Sequence, residues 1–303
     1  MVEPADQPDA EALADAFEAE RPRLRGIAYR MVGTPDDADD IVQDTWLRFA
    51  AATDIDNPAA WLTTVCTRLA LDRLRSAQVR RETYVGPWLA EPVLDPPSTQ
   101  PTPDQSLVLA ESLSLGFLAV LERLSPLERA VFILRDVFAF GLDEIATIIE
   151  RSHPATRQIA KRARDHIAEG RPRFQAEPEN VEALTQMLLA AAATGDVETL
   201  ASHLADDVVH LSDGGPHHRA ARAPVVGPHR VARLFIGLAK RFEESMEFHI
   251  VRANGQTALY TTLDGEPFML HVSNWVDGKL TGSFAVRNPD KLAAFHVAWT
   301  HGR

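Results

Sequence analysis

Apolar residues recur at three- and four-residue intervals along most of the first 174 positions, which is the period of an amphipathic α-helix. Short breaks interrupt this period at Gly33-Thr34-Pro35 and at 54–58. A longer break covers 82–105, where six prolines fall among few periodic apolar positions. The pattern therefore predicts two helical blocks joined by an extended, proline-rich linker.

The C-terminal part follows a different pattern. Helical periods are found at 181–193, 197–204 and 228–242. Apolar and polar residues then alternate, as in half-buried β-strands, over 246–253, 256–263, 266–276 and 279–287. The strand-like runs are separated by Asn254-Gly255, Asp264-Gly265 and Asp277-Gly278, and such dipeptides favour tight hairpin turns. This part is predicted to be α+β, with helices followed by an antiparallel meander.

Length and composition are those of an ordinary globular protein. The chain has 303 residues, of which 45% are hydrophobic and 24% charged, so two or three domains are expected. No apolar run approaches the roughly 18 to 20 residues of a membrane helix, and the acidic N-terminus does not resemble a secretion signal. The single cysteine, Cys66, excludes an intrachain disulfide and a cysteine-rich zinc site. A reducing, cytoplasmic location is therefore expected, without membrane partners.

The formal net charge of −12 conceals two basic segments. Residues 1–60 carry 14 acids and 5 arginines, whereas 61–81 carry five basic residues against one acid. Residues 151–173 carry seven basic residues against two acids. Because local fields decide phosphate binding, both segments remain candidates for nucleic-acid contact in an acidic chain.

The first candidate helix begins at Thr34-Pro35, with threonine as N-cap and proline in the first turn. One face is apolar and consists of Ala38, Ile41, Val42, Thr45, Trp46 and Phe49. The other carries Asp37, Asp40, Gln43 and Asp44. This acidic face is either simply solvated or a docking surface for a basic partner helix.

The next helix opens at Asn57-Pro58 and carries Arg68, Arg73 and Arg75. The loop before it could hold an unstacked base while the helix follows the phosphates of a single strand. Trp61 fits either a core position or a stacking platform, and Cys66 fits a buried, inert thiol.

A helix-turn-helix is predicted over 142–167. A short amphipathic helix at 142–149 is followed by a turn at 150–153, and Pro154 suits the first position of a second helix. In that helix the inward positions are Ala155, Ile159, Ala163 and Ile167, and the polar positions are Arg157, Gln158, Lys161, Arg162 and Arg164. These side chains can read bases in a major groove; the alternative is a basic surface helix.

Taken in order, these segments resemble a bacterial sigma factor of the extracytoplasmic-function group (group IV). Residues 36–49 resemble region 2.2, 61–75 resemble regions 2.3 and 2.4, and 124–167 resemble region 4. The segments 84–89 and 288–292 are similar to a subgroup with a fused SnoaL-like extension. The family tends to have proline where Ala90 stands, and a glycine-rich loop ending in lysine where this chain has 213–218.

The resemblance implies a multidomain protein with two all-α sigma domains and a C-terminal α+β SnoaL-like cone. Its parts are region 2 at 8–81, a linker at 82–105, region 4 at 106–175 and the SnoaL-like domain at 178–303. Such a protein is not an enzyme. No cofactor is expected, and the histidines at 210, 217, 218 and 229 match no standard metal-site spacing.

The resemblance also implies partners and site residues. Core RNA polymerase would bind through its β′ clamp helices and β flap, with Asp37, Asp40, Gln43, Asp44 and Arg48 at the clamp helices. Promoter DNA would meet the −10 residues Asp54, Asn57, Trp61, Arg68, Arg73 and Arg75. The −35 element would meet Thr156, Arg157, Gln158, Lys161, Arg162 and Arg164.

For the C-terminal domain the resemblance implies regulation in cis, in which a tethered domain acts through contacts of high effective concentration. The implied contact residues are Trp88, Leu89, Asp213, Gly214 and Gly215, and a separate anti-sigma factor is then not obligatory. Two alternatives stay open: a small-molecule-binding or catalytic domain, with a pocket around His210, Tyr260, His271 and Trp275, and a plain repressor.

Overall fold

The computed structural model describes residues 10–95, 112–170, 181–216, 218–241 and 245–302. Four linker prolines (Pro96, Pro97, Pro101 and Pro103) and His217 lie outside the described residues. The helices are α1 (Ala10–Val32), α2 (Pro35–Ala50), α3 (Pro58–Arg81), α4 (Leu115–Leu121), α5 (Pro126–Phe132), α6 (Leu142–Ile148), α7 (His153–Gly170), α8 (Val181–Thr194), α9 (Val197–Ser202), α10 (Pro228–Ala239) and α11 (Pro289–His301). The strands are β1 (Leu204–Asp213), β2 (Val225–Val226), β3 (Met246–Ala253), β4 (Gln256–Leu263), β5 (Glu266–Val276) and β6 (Lys279–Val286). None of the described helices is both long and apolar enough to cross a bilayer.

Two compact units divide the chain. The first, here called the helical unit, comprises the described residues up to 80 together with 124–166. The second, here called the α+β unit, comprises 81–123 and the described residues from 167 onward. The beginning of the predicted linker and α4, expected with region 4, therefore belong to the same unit as the C-terminal sheet.

The core of the helical unit follows the predicted apolar face of α2. Thr34 has the extended backbone of an N-cap, and Pro35 occupies the first turn, as predicted. Phe49 is fully buried and its ring centroid lies 5.7 Å from that of Trp61 in α3. Cys66 is buried as well, and this burial raises the pKa of its thiol to about 12, so the prediction of an inert thiol is confirmed.

Helix α5, which precedes the helix-turn-helix, is held to α1 by a buried arginine. Ser125 and Glu128 form a capping box that starts α5. From α5, the side chain of Arg129 is 1% exposed and its Nη1 donates to the carbonyl of Met31 at 2.7 Å. A π-helical turn, Ile133–Val137, then leads towards α6. The end of α1 is therefore fixed against α5 by a charged hydrogen bond.

In the α+β unit a six-stranded sheet has the order β2-β1-β6-β5-β4-β3. Strands β3 to β6 form the predicted antiparallel meander, and the predicted α+β class is confirmed. Strand β1 was not predicted, and it pairs parallel with β6. Its ladder is irregular between Leu204 and Val209, which disturbs the alternation that would reveal a strand.

Helix α4 packs directly on the sheet of this unit. A Cβ on Gly116 would lie 2.7 Å from Asn274 Nδ2 and 2.8 Å from the ring of Phe284. The two side chains come from β5 and β6, so the helix backbone lies against the sheet where glycine alone leaves room. The contact explains why α4 belongs to this unit.

Candidate nucleic-acid interface and linker-binding site

Helix α7 presents the predicted basic face to solvent. Its inward side is buried at Ile159, Ala160 and Ala163, whereas the exposed residues are Arg157, Gln158, Lys161, Arg162 and Arg164. Thr156 was also predicted to contact DNA, but it is fully buried and its hydroxyl donates to the carbonyl of Ser152 at 3.1 Å. This prediction is therefore corrected: Thr156 stabilises the start of the helix.

The exposed cations of α7 differ in their partners. Arg164 Nη2 lies 2.7 Å from Asp136, and Arg162 Nε lies 3.6 Å from Glu128. Arg157, Gln158 and Lys161 have no side-chain partner within the described part of the chain, so these groups are available to a ligand. Arg157, Gln158 and Lys161 line a surface depression together with Arg135. Arg135 was not predicted as a site residue, because it lies in the π-helical turn, outside both basic segments 61–81 and 151–173.

The arginines predicted to hold the −10 strand are engaged inside the helical unit. Arg68 donates to the carbonyls of Ile148 at 3.0 Å and Thr147 at 3.2 Å, and its Nη1 lies 3.1 Å from Glu150. The last turn of α6 and the turn after it, at Glu150, therefore lie against α3. Arg75 pairs with Asp72 in its own helix at 3.0 Å.

Arg73 joins α3 to the acidic face of α2. Its guanidinium lies 3.3 Å from Asp37 and 3.0 Å from Asp40. Two of the carboxylates predicted to meet the polymerase are thus paired with a predicted DNA contact in this structure. The other predicted positions of α2 (Gln43, Asp44 and Arg48) are exposed.

The loop before α3 has both exposed and structural residues. Asp54 is exposed with φ of 57°, in the left-handed region that an aspartate tolerates. Asn57 caps α3, since its Oδ1 accepts from the backbone N–H of Ala60 at 3.1 Å. Trp61 packs on Phe49, which supports its core interpretation. The capping and core roles of Asn57 and Trp61 account for both residues without DNA.

The linker-binding site is centred on a buried carboxylate at the end of β1. Asp213 is fully buried and accepts from the hydroxyl of Tyr84 at 2.6 Å and the backbone N–H of Leu89 at 2.9 Å. The Nζ of Lys291, from α11, lies 2.7 Å away and also donates to the carbonyl of Leu89. The structure thus brings together residues 84–89, β1 and α11 within the α+β unit.

Aromatic and glycine contacts complete this site. The ring of Trp88 lies between two cations, 3.4 Å from the guanidinium of Arg81 and 3.9 Å from Lys291 Nζ. Gly215 has φ of 58° and donates to Asp213, and Gly214 is so close to His218 that a Cβ would meet its carbonyl oxygen. Every residue of the predicted contact set therefore lies in this cluster.

Burial sets the protonation properties of the cluster. Desolvation lowers the pKa of Lys291 to about 8, although the neighbouring carboxylate of Asp213 acts in the opposite direction. The pKa of Tyr84 is raised, first by burial and then by its hydrogen bond to Asp213. The tyrosine hydroxyl therefore stays a donor at neutral pH.

A second contact, which no sequence pattern indicated, fixes the linker further along. Val93 and Asn254 exchange hydrogen bonds of 2.9 Å, and the Nδ2 of Asn254 donates to the carbonyl of Leu113 at 3.0 Å. Asp95 accepts from the backbone N–H of Gly255 at 2.9 Å. Asn254-Gly255 forms the hairpin turn that was predicted between β3 and β4. The amide side chain of Asn254 and the backbone N–H of Gly255 also hold the linker.

The predicted pocket residues divide between three places. His210 and His271 line one cavity and share Ser283, whose Oγ lies 2.8 Å from His210 Nδ1 and 2.7 Å from His271 Nε2. Trp275 instead belongs to the hydrophobic core, and Tyr260 bonds to His296 of α11 at 2.7 Å. The prediction that all four residues form one pocket is corrected accordingly.

Comparison with known proteins agrees with this architecture. Residues 16–80 match Sigma-70 region 2, and residues 114–167 match Sigma-70 region 4. The chain is 38% identical over 290 residues to the ECF RNA polymerase sigma factor SigJ of Mycobacterium tuberculosis, which covers 91% of this chain and 92% of that protein. It is 34% identical over 220 residues to the probable ECF RNA polymerase sigma factor SigI of the same species, covering 71% and 75%.

A solved structure extends the similarity to the fold. The crystal structure of the M. tuberculosis sigma factor SigJ matches with a TM-score of 0.73 at 34% identity, covering 92% of this chain and 98% of that chain. These relatives are sigma factors and not enzymes. The chain therefore belongs to the extracytoplasmic-function RNA polymerase sigma factors, the proteins that direct a bacterial polymerase to begin transcription at particular promoters.

Proposed function

We propose that this sigma factor reads the −35 element with α7, holds the −10 strand with α3 and its preceding loop, and is regulated in cis by its own α+β unit. The observation that carries the proposal is the exposed basic face of α7. Arg157, Gln158 and Lys161 project from the second helix of a helix-turn-helix and lack side-chain partners within the described residues. Guanidinium and amide groups so placed suit major-groove bases and flanking phosphates.

Core polymerase docking is proposed for the exposed part of α2, at Asp40, Gln43, Asp44 and Arg48. The β′ clamp helices and the β flap are the proposed partner surfaces. Carboxylates spaced along one helix face repel one another mildly and gain free energy when they meet a basic partner. This arrangement supports the docking interpretation over a merely solvated face.

Promoter binding requires the helical unit to open. The −35 and −10 elements lie about 25 base pairs apart, or about 85 Å of B-form DNA. In the structure, Arg68 of α3 donates to two carbonyls at the end of α6, which belongs to the helix-turn-helix. A promoter-bound form must break these bonds, and the released Arg68 is then free to contact the −10 strand.

The α+β unit is proposed to act through the linker. Residues 84–95 are held by the buried carboxylate of Asp213 and by Asn254. A linker held in this way has a shorter free length, which restricts how far the two DNA-binding elements can separate. A separate anti-sigma factor is not required by this scheme.

Base readout is tested with Arg162, which is the proposed base-reading residue. In transcription with core polymerase across a library of −35 sequences, Arg162→Ala should relax the preference at one or two positions, because a bidentate contact discriminates by about 1–3 kcal/mol. Arg123→Ala removes an exposed arginine outside the proposed interface and should leave the preference unchanged. Equal weakening on every sequence would contradict the assignment of Arg162.

Regulation in cis is tested by a single hydroxyl. Tyr84→Phe removes the 2.6 Å bond to Asp213 and should change the transcript level at a fixed concentration of core polymerase. Tyr260→Phe is the matched control, since it removes a bond to His296 within the same unit but away from the linker. An identical transcript level for Tyr84→Phe and the unmodified protein would count against the proposal.

A further inference from the structure

A cavity of about 340 Å³ lies in the α+β unit between the sheet and helices α8 and α10. Its size falls within the range of sites for small organic molecules. The lining is largely apolar and includes Leu189, Phe235, Leu238, Leu259, Phe268 and Met269. Nothing in the proposed reading of promoters uses this space.

Among the described residues, the charged side chains that line the cavity are three arginines. Arg219, Arg241 and Arg287 all line it, and its lining contains no aspartate or glutamate among the described residues. Arg219 and Arg241 are exposed and Arg287 is partly buried, so the charge lies where the cavity meets solvent. An anion would relieve the repulsion between these cations.

Arg287 has a buried donor that lacks an acceptor. Its guanidinium lies 4.6 Å from the centroid of Phe268, and its Nη1 donates to the carbonyl of Arg219 at 2.9 Å. Its Nε is buried and makes no hydrogen bond in the structure. Leaving such a group unsatisfied is costly, so the site is built to receive an acceptor there.

The two histidines inside the cavity are uncharged. Burial lowers the pKa of His210 to about 3 and that of His271 to about 4, so both imidazoles are neutral at physiological pH. Both are engaged with Ser283 Oγ, at 2.8 Å and 2.7 Å. Among the described lining residues, the arginines thus carry the charge of the site. The rest of the lining favours the uncharged part of a ligand.

We infer that this cavity binds a small carboxylic acid, with the carboxylate at Arg287 and Arg241 and an aromatic or aliphatic body against Phe235 and Leu259. A planar carboxylate matches the paired donors of a guanidinium. A dianionic phosphate would lose far more hydration free energy in so apolar a space.

The site also adjoins the linker-binding residues. Ser212 lines the cavity and the next residue, Asp213, holds the linker. Ala221 lines the cavity as well, and its carbonyl oxygen lies 3.7 Å from where a Cβ of Gly86 would be. A bound acid would therefore contact the strand end and the loop that hold residues 84–89. This consequence for transcription rests on the proposed regulation in cis, whereas the binding itself does not.

The test is calorimetric titration of the full-length protein with 2-naphthoate and with its neutral counterpart 2-naphthamide. We expect one naphthoate per chain, bound at least tenfold more tightly than the amide. Arg241→Gln should weaken naphthoate about tenfold or more and leave the amide unchanged. Arg233→Gln, an exposed arginine of α10 outside the lining, should change neither.

A second variant tests the location independently of charge. Ala285→Leu fills part of the cavity and should abolish binding of both compounds, with circular dichroism and thermal melting reporting whether the domain is folded. No naphthoate binding at millimolar concentration, equal affinities for acid and amide, or an unaffected Arg241→Gln variant would each overturn the inference. Tight binding with no effect on transcription would leave the inferred site standing and contradict only its coupling to the linker, since regulation in cis itself is tested by Tyr84→Phe.

Discussion

The carboxylate of Asp213 accepts bonds from Tyr84, Leu89, Gly215 and Lys291 while it is fully buried. The stability of this buried charge depends on its counterion, the ammonium group of Lys291, because the neutral hydrogen-bond donors around it cannot replace a cation. Attraction within a buried pair offsets desolvation only while both members are present. Within the linker-binding site, a substitution that removes one member of the Asp213–Lys291 pair should therefore cause the largest loss of stability.

Lys291→Met should destabilise the α+β unit by about 3 kcal/mol, since it leaves the carboxylate of Asp213 buried without a counterion. Urea unfolding followed by circular dichroism measures the change. Adding Asp213→Asn to this variant should recover part of the loss. Glu198→Gln, which breaks the exposed pair with His229, should have little effect, and a similar loss from both changes would contradict the role given to burial.

The two cavity histidines make the stability of the α+β unit dependent on pH. Their ordinary pKa is 6.5, and burial lowers it to about 3 for His210 and about 4 for His271, so the unfolded chain binds more protons between about pH 4 and 6.5. The two histidines share the cavity lining with Arg219, Arg241 and Arg287, and no described acid of the lining opposes this shift. Their contribution is complete above pH 6.5 and declines as the pH falls, by up to about 1.4 kcal/mol per pH unit for each histidine.

Urea unfolding at pH 7.5, 6.0 and 5.0 tests this dependence. With His271→Gln, the free energy of unfolding should rise less steeply with pH, because one histidine fewer gains a proton on unfolding. Carboxylates elsewhere also titrate in acid, so the difference between the variant and the unmodified protein is the relevant quantity. The same slope in both proteins would show that His271 is protonated in the folded state.

At the residue scale, sequence patterns predicted which side chains are exposed or buried on a helix more reliably than they predicted side-chain contacts between distant segments. The exposed positions on α7 follow from helical spacing alone, as does the burial of Cys66. The burial of Thr156, in contrast, depends on the turn that precedes α7, and the separation of Tyr260 and Trp275 from the cavity depends on how α11 and the helices pack on the sheet. Such packing is set by distant segments, and periodicity does not report it.

At the element scale, the packing of α4 on the sheet depends on a single glycine, Gly116, which has no side chain to collide with the strands. Gly116→Ala would place a methyl group 2.7 Å from Asn274 and 2.8 Å from Phe284, and relieving this overlap requires α4 or the sheet to move. We expect a loss of about 1–3 kcal/mol in the stability of the α+β unit. Thermal or urea unfolding of the full-length protein measures it.

Gly237→Ala in α10 is the matched control for this change. A Cβ at that position has no heavy atom within 4 Å, so the substitution should stabilise the helix by about 0.5–1 kcal/mol. Equal effects from the two glycine variants would contradict the close approach of α4 to the sheet.

The elements themselves were largely predictable, but strands β1 and β2 and helix α11 were not assigned. The four strands of the meander were delimited by their Asn-Gly and Asp-Gly turns, because these dipeptides mark a strand end independently of tertiary structure. Strand β1 was missed because its parallel partner, β6, lies about 70 residues further on and because its ladder is irregular. Helix α11 was not assigned either, although Asn288-Pro289 provides the N-cap and first-turn proline of a helix start.

At the scale of the whole molecule, net charge and internal pairing both oppose binding to free DNA. The chain carries a formal charge of −12, and Arg68 and Arg73 are engaged within the helical unit. We expect the full-length protein to bind a promoter duplex weakly in a gel shift at about 0.15 M salt, where long-range attraction is screened. Adding core polymerase should produce a stable complex, whereas strong binding without the polymerase would favour a repressor.

The division of the chain into these two compact units was not predicted. A proline-rich segment usually indicates an extended spacer, because proline lacks a donor and favours open conformations. Here Leu89 and Ala90 are buried and Val93 pairs with Asn254, so the start of this segment belongs to a folded unit. The partners of these residues lie far along the chain, where local composition carries no information about them.

The bond between Tyr84 and Asn288 spans 204 residues of sequence, and that between Leu89 and Lys291 spans 202. A ribosome that adds about 5–20 residues per second needs about 10–40 s to cover this distance. In each newly made chain the helix-turn-helix is therefore synthesised before Asn288 and Lys291, the residues of the linker-binding site that hold residues 84–89. The regulation in cis proposed above can therefore begin only after translation has reached α11.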